Sequence, residues 1–514
     1  MSETATRVAR NTGFLYIKMG ITMFVSLYTT RLVLNALGDS DYGIFSIVGG
    51  AIALLGFFNS SLAGSTQRFM SYAEGEGNLK KKKYIFNISF ILHLLLGLFL
   101  IVALIVAGLI FFNGVLNIPE GREQAAIIVY GSLIISTAFS VMSVPYEAVL
   151  NAHENMLYFS IVGIIESLLK LGVAFICVYA LMDKLIVYGI LMAMVPIIVL
   201  IIMRVYCKGH YEECEINTKK YYDKNLVKSM TSFAGWGFMS SVAAIGTMQG
   251  MAVLLNVYGG VIVNTAHGIA NQLAGQVMSF SNTMLKALNP VLVKSCGAGQ
   301  MKQMLQEAST GNKLSFFCFA FFALPFIAET SYILQLWLKE VPEWAVLFCR
   351  LVFIRQMISQ TYVTLETCIS ATGNIKRFSI VNTFLWAFPI LVGIVIYSLG
   401  APIYSIYLLL ILLALLRGAN ALFFCHKLCA MDVWHYLKET FSPMLLCGLI
   451  VWLLSEGLVA LMEPGIIRCI SVFLISMPVF VALSYLIVFN KEERILILNL
   501  IKSFKVRVVG MQNK

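Results

Sequence analysis

Apolar residues fill the chain in blocks of about 18 or more, separated by short polar turns, and each block is long enough to cross a bilayer as a helix. The pattern predicts fourteen spans, near 13–37, 42–72, 84–113, 122–150, 156–181, 185–206, 227–257, 261–293, 313–338, 343–372, 377–399, 402–429, 441–461 and 466–489. The expected fold is therefore an all-α integral membrane protein. Two polar connections stand out. One, at 207–226 (CKGHYEECEINTKKYYDKNL), separates spans six and seven, and the other, near 295–312, follows span eight.

The pattern also repeats. Residues 145–162 (PYEAVLNAHENMLYFSIV) and 364–381 (TLETCISATGNIKRFSIV) agree at roughly seven of eighteen positions, with Glu147 on Glu366 and Asn155 on Asn374, at an offset of 219 residues. Leu34-Asn35 followed by Gly38 matches Leu255-Asn256 followed by Gly259, and GEGNLK (75–80) matches GAGQMK (297–302). An offset near half the chain marks a duplicated half-protein. Six spans is an even number, so both halves enter the membrane in the same direction, related by a pseudo-twofold axis along its normal. The expected layout is a six-helix lobe at 1–206, a linker at 207–226, a second six-helix lobe at 227–430, and two extra helices with a tail at 431–514.

Composition sharpens this picture. The 514 residues are 59% hydrophobic and only 12% charged, with a mean hydropathy of +0.84; a soluble domain averages about 45–50% apolar and 25% charged. The Lys and Arg behind the net charge of +11 collect in alternate loops, among them Lys80 to Lys83, Lys208 to Lys228, Lys302 and Lys313, Lys376-Arg377, Lys427 to Lys438 and Lys491 to Lys514, with about 25 on that side of the membrane. The other loops carry Arg122, Lys184, Lys339 and Arg468. This asymmetry predicts both termini in the cytoplasm and argues against nucleic acid as a partner, since no loop is long enough for a reader domain. Residues 1–12 carry no cleavable signal pattern, so the first span is expected to be retained. The eleven cysteines lack a CxxC pair or metal-ligand spacing and read as small hydrophobes. No Walker loop, HExxH or nucleophile elbow is present, and no external loop exceeds about a dozen residues, so an enzyme is not expected.

Charge inside the bilayer is costly and marks function or pairing. In the eighth span Asn264, His267, Asn271, Asn282, Lys286 and Asn289 recur at helical spacing, a stripe that must face protein or a water-filled cavity. Arg355, beside Gln356 and Gln360, and Arg417 lie deep in spans ten and twelve, too deep to reach the interface by snorkelling. Arg31 sits in the outer part of the first span, and Lys18 and Arg68 lie towards span ends. Glu166 and Lys170, one turn apart, suit mutual neutralisation. Glu147 and Glu366 are open to three readings: pinning a loop, coupling to an ion, or closing an inner gate; Glu329 lies deeper, a candidate for coupling or gating for which the sequence offers no partner. Prolines at 196, 325, 389, 443 and 478 permit bending, and glycines crowd spans two and seven, as close packing requires.

Residues 30–50, TRLVLNALGDSDYGIFSIVGG, with Tyr-Gly opening the second span, resemble polysaccharide exporters of the multidrug/oligosaccharidyl-lipid/polysaccharide superfamily, most nearly the Wzx-type flippases for lipid-linked O-antigen and capsule repeat units. The resemblance spans the whole layout. It implies a MATE-like, V-shaped transporter of a bacterial cytoplasmic membrane that moves an undecaprenyl-pyrophosphate-linked oligosaccharide from inner to outer leaflet by alternating access. The implied partners are that substrate, membrane lipids and glycan polymerase or export machinery. The implied cofactor is none beyond a coupling ion, sodium or proton. The fourteen spans are also similar to the lipid II flippase, which implies a lipid-tail groove at spans thirteen and fourteen. Arginine binds phosphate oxygens bidentately, so Arg31, Arg355, Arg417 and Lys286, with Asn264, His267, Asn271 and Asn282, would line a cationic cavity. Three alternatives stand beside this reading: a sodium- or proton-coupled multidrug exporter of the same superfamily; from another class, a membrane glycan polymerase or ligase; and a non-transporting lipid-binding scaffold.

Overall fold

A computed structural model describes residues 2–53, 55–115, 118–338, 340–495 and 498. Lys339 and the basic residues Lys502 to Lys514 lie outside these. Among the described residues the chain is helical with no strand, and eleven helices are long and apolar enough to cross a membrane. The fourteen expected spans are accommodated: α7 (Lys224–Gly297) carries two, span two is divided between α1 (Ser2–Ala53) and α2 (Gly56–Gly75), and span ten is broken into two shorter helices.

The first long helix, α1 (Ser2–Ala53), turns at Gly38, where φ is 75° and ψ 171°. The second, α7 (Lys224–Gly297), turns at Gly260 with φ 79° and ψ −177°. An L side chain rarely adopts this left-handed region, so glycine is required at both points. The pair also corrects the register of the repeat. The sequence match sets Gly38 on Gly259, whereas the turning residue is Gly260, at the offset of 222 that GEGNLK and GAGQMK share. Two adjacent glycines, Gly259 and Gly260, follow Leu255-Asn256, and only the second carries the turn.

The chain divides into two compact units: Asn11–Phe238 with Gly297–Gly299, and Met1–Arg10, Met239–Cys296 and Gln300–Lys514. In the first unit α2 (Gly56–Gly75), α3 (Leu79–Ile110), α4 (Glu123–Ala152), α5 (Met156–Tyr179) and α6 (Lys184–His210) follow α1. Their core is Met70, Ile85, Phe86, Tyr146, Val149 and Leu150, all at most 1% exposed, with a second cluster of Ile44, Val48, Leu104, Val129 and Tyr130. At one end of this unit Arg122 donates from Nε to Asp41 Oδ1 at 2.9 Å and from Nη1 to Asp183 Oδ2 at 2.5 Å, clamping the starts of three spans. Asp183 also caps α6 through the amides of Leu185 and Ile186.

At the lysine-rich end the connection 207–226 is folded onto the unit. Glu213 is 2% exposed and Cys214 and Tyr221 are buried, while Asn217 N–H donates to Asn87 Oδ1 at 2.8 Å and Lys83 pairs with Glu215 at 3.0 Å. Asn155, in the repeated turn, caps α5 and reaches the hydroxyls of Tyr206 and Tyr211, each at 3.0 Å.

In the second unit α7 is followed by α8 (Met301–Leu338), α9 (Ala345–Gln360), α10 (Val363–Thr372), α11 (Lys376–Ser398) and α12 (Ser405–Cys429). The final pair of spans is α13 (Val433–Tyr436) leading into α14 (Ser442–Leu461), then α15 (Ile466–Leu483). Phe319, Phe348, Phe353 and Leu334 centre its main core. A separate cluster of Phe316, Ala320, Leu324, Met444, Cys447, Val451 and Phe480 packs α14 and α15 onto α8. Span ten is not one helix: it breaks at Thr361–Tyr362 between α9 and α10.

Candidate functional site

Of the polar groups singled out above, the second unit brings together Arg355, Arg417, His267, Asn271 and Glu366. Arg417 on α12 lies over the ring of Trp386 on α11 at 3.9 Å. A guanidinium stacked this way keeps its in-plane N–H donors free. Its charge reaches Glu366 and Tyr362. Arg355 on α9 acts electrostatically on Arg417, Tyr407, Tyr362 and His267. Among the described residues neither arginine forms an ion pair or donates a hydrogen bond, although both are only part-exposed.

The eighth-span stripe is partly assembled by this geometry. His267 Nδ1 meets the Tyr407 hydroxyl at 2.7 Å, and Asn271 Nδ2 donates to the His267 carbonyl at 2.9 Å. Asn264 is half-buried and Asn282 exposed. Lys286 and Asn289 occupy the next turns, with Asn289 Oδ1 accepting from Thr367 Oγ1 at 3.2 Å. Arg31 is exposed and belongs to the other unit.

The three glutamates separate. Glu147 accepts from Ser143 Oγ at 3.0 Å and feels the charge of Lys18, which lies over the Phe159 ring at 4.3 Å. Lys18 fits there because Gly163 has no side chain: a Cβ at that position would lie 2.1 Å from Lys18 Cε. Glu166 and Lys170 pair at 2.6 Å. Glu366 sits in the first turn of α10, near Arg417. Glu329, for which the sequence offered no partner, is fully buried and takes a bidentate bond from Arg468 of α15, 2.7 Å from Nε and 2.9 Å from Nη2. Its place is in anchoring the last helix. Arg468, counted above as a loop residue, is 8% exposed.

One cluster was not anticipated. Glu74, His153 and Glu213 hold ligand-type atoms within 4.8 Å of one another. However, the Lys82 ammonium stands 2.7 Å from Glu74 and 3.6 Å from Glu213, and the two His153 nitrogens face different carboxylates, Nε2 at 2.5 Å from Glu213 and Nδ1 at 3.4 Å from Glu74. The chain supplies its own cation, so this is an ion-pair network that fastens the 207–226 connection. Burial pushes the Glu213 carboxyl up, but the His153 hydrogen bond, its own backbone N–H and the charges of His153 and Lys82 outweigh it and hold it below the usual range.

No family model matches the sequence, and no curated protein matches it. Solved structures do. A MATE crystallised in its bent conformation superposes with a TM-score of 0.70 at 13% identity, over 86% of this chain and 99% of that one. An outward-facing multidrug resistance MATE transporter of the MOP superfamily gives 0.69 at 13%, over 83% and 96%. A MOP superfamily transporter from Pyrococcus furiosus, described as having a binding pocket of reversed polarity that suggests a different function, gives 0.67 at 12%, over 85% and 97%. The chain has the MATE-like fold.

Proposed function

We propose that this protein is a membrane transporter that takes an anionic, phosphate-bearing lipid-linked oligosaccharide across the bilayer, a flippase for undecaprenyl-pyrophosphate-linked repeat units. The observation that carries the reading is the arginine pair. Arg355 and Arg417 lie in the interior of the second unit with one glutamate nearby and with their N–H donors unclaimed by the protein among the described residues. An unpaired guanidinium within a membrane is expensive and is offset where an anion binds it bidentately. His267 and Asn271, half-buried beside them, add polar groups suited to sugar hydroxyls, with the buried Tyr407 hydroxyl holding the His267 ring. A cationic drug would call instead for an excess of acids, which this cluster lacks. In this reading the lysine-rich loops and both termini face the cytoplasm, and membrane lipids and the glycan-assembly machinery are the neighbours.

The test is binding and flipping by purified protein in nanodiscs and liposomes. Inorganic pyrophosphate and a pyrophosphate-linked lipid should bind the wild type, and Arg355→Ala should abolish both binding and flipping with an unchanged melting midpoint. Full flipping by Arg355→Ala at normal expression would overturn the reading, as would resistance to cationic drugs without any glycan phenotype on deletion.

A further inference from the structure

Span ten breaks where nothing in its sequence breaks a helix. The segment Ser359-Gln360-Thr361-Tyr362-Val363-Thr364 contains neither glycine nor proline. In the first unit the position matching Thr364 is Pro145, yet α4 runs through it unbroken. At the break, Thr361 and Tyr362 donate to the carbonyls of Ile358 and Ser359 in tight turns. This frees the carbonyl of Thr361 and the N–H of Thr364 inside the bundle, where an unpaired backbone group is costly.

Both are met by side chains from elsewhere. The Tyr436 hydroxyl, at the end of α13, donates to the Thr361 carbonyl. Asn312 of α8 accepts from the Thr364 N–H at 2.9 Å and donates to the Tyr436 hydroxyl at 2.7 Å. Asn312 and Thr364 have no exposed surface, and Tyr436 is 3% exposed. The next residue of α8, Lys313, pairs with Glu493 beyond α15 at 2.9 Å, and Glu493 also accepts from Thr310 at 2.7 Å. The two ends of the C-terminal helix pair thus grip consecutive residues of one α8 turn, and that turn splices the break. Arg355 lies about two turns before the joint, tied to it by Ser359 Oγ on the Arg355 carbonyl at 3.1 Å, and Glu366 lies one turn after.

We propose that Asn312 and Tyr436 are positioning residues: they form a buried strut through which the C-terminal helix pair fixes the α9–α10 joint and so sets Arg355 and Glu366 for the anion. The positioning half of this rests on the anion-site reading above; the strut does not.

Hydrogen exchange of the segment 361–367 and calorimetric binding of inorganic pyrophosphate, both on the full chain in nanodiscs, test it. Tyr436→Phe deletes one oxygen and keeps the shape; Asn312→Leu keeps the volume, adds no charge and removes the bonds to both Thr364 and Tyr436. Each should raise exchange at the joint about tenfold and the pyrophosphate Kd roughly threefold or more, with the melting midpoint within about 2 °C of wild type. Unchanged exchange overturns the strut. Faster exchange with unchanged Kd, in a protein whose pyrophosphate binding Arg355→Ala abolishes, overturns the positioning role. If the wild type binds no pyrophosphate, the anion-site reading fails, and exchange alone decides the strut.

Discussion

Arg468→Ala strips the counter-charge from Glu329, a carboxylate with no exposed surface. The two groups meet through parallel N–H···O bonds of 2.7 and 2.9 Å, with Arg468 itself 8% exposed. Removing one partner of such a pair leaves an uncompensated buried charge, at a cost of about 3–5 kcal/mol. That corresponds to about 10²–10⁴-fold more of the state in which α15 has come away from α8. Amide exchange of residues 466–483 in nanodiscs reads this population directly. Glu329→Leu combined with Arg468→Leu removes both charges, so the double variant should recover most of what either single change loses. Wild-type exchange in Arg468→Ala, or a double variant no better than the single, would refute the reasoning.

Other outcomes follow from the same geometry. Trp386→Ala removes the ring beneath Arg417, worth about 0.5–2 kcal/mol, and pyrophosphate binding by calorimetry should weaken about 2–30-fold, with Trp386→Phe intermediate. Gly163→Val places carbon where the end of the Lys18 side chain now lies, so the ammonium must swing off the Phe159 ring, and the melting midpoint should fall by an amount equivalent to about 0.5–1 kcal/mol, with Lys18→Ala in the same chain removing the difference. For Asp183, burial pushes the carboxyl up, but the Arg122 hydrogen bond and charge and the amides of Ile186 and Leu185 outweigh it and hold it below its ordinary value of 3.8. A depressed folded pKa contributes stability that is present above that value and lost as pH falls through the folded one. The midpoint difference between wild type and Asp183→Asn should therefore be constant well above pH 3.8 and shrink progressively as the pH falls below it.

The spans were legible because each must be apolar over its own length, and the repeat because duplication leaves residues such as Glu147 and Glu366 in phase. The pairing of Glu166 with Lys170 was legible for the same reason, being local. Glu329 and Arg468 were not: they are 139 residues apart, and an arginine near a span end looks like a loop charge. The break at Thr361–Tyr362 was hidden because its cause lies in Asn312 and Tyr436 rather than in the segment itself. Pro145 illustrates the converse, a helix-breaking residue in an unbroken helix. Glu154 and Gly373 make a similar point. They occupy equivalent places in the repeated turn and both adopt positive φ, 55° and 80°, but only the second is announced by its residue type.

The distance between Glu329 and Arg468 along the chain is also an interval of time. A ribosome adding about 5–20 residues per second takes roughly 7–28 s to make the 139 residues that separate them. Throughout that interval the counter-ion of Glu329 has not yet been synthesised. Completion of the second unit is therefore paced by translation, because the Glu329–Arg468 pair cannot close until α15 has been made.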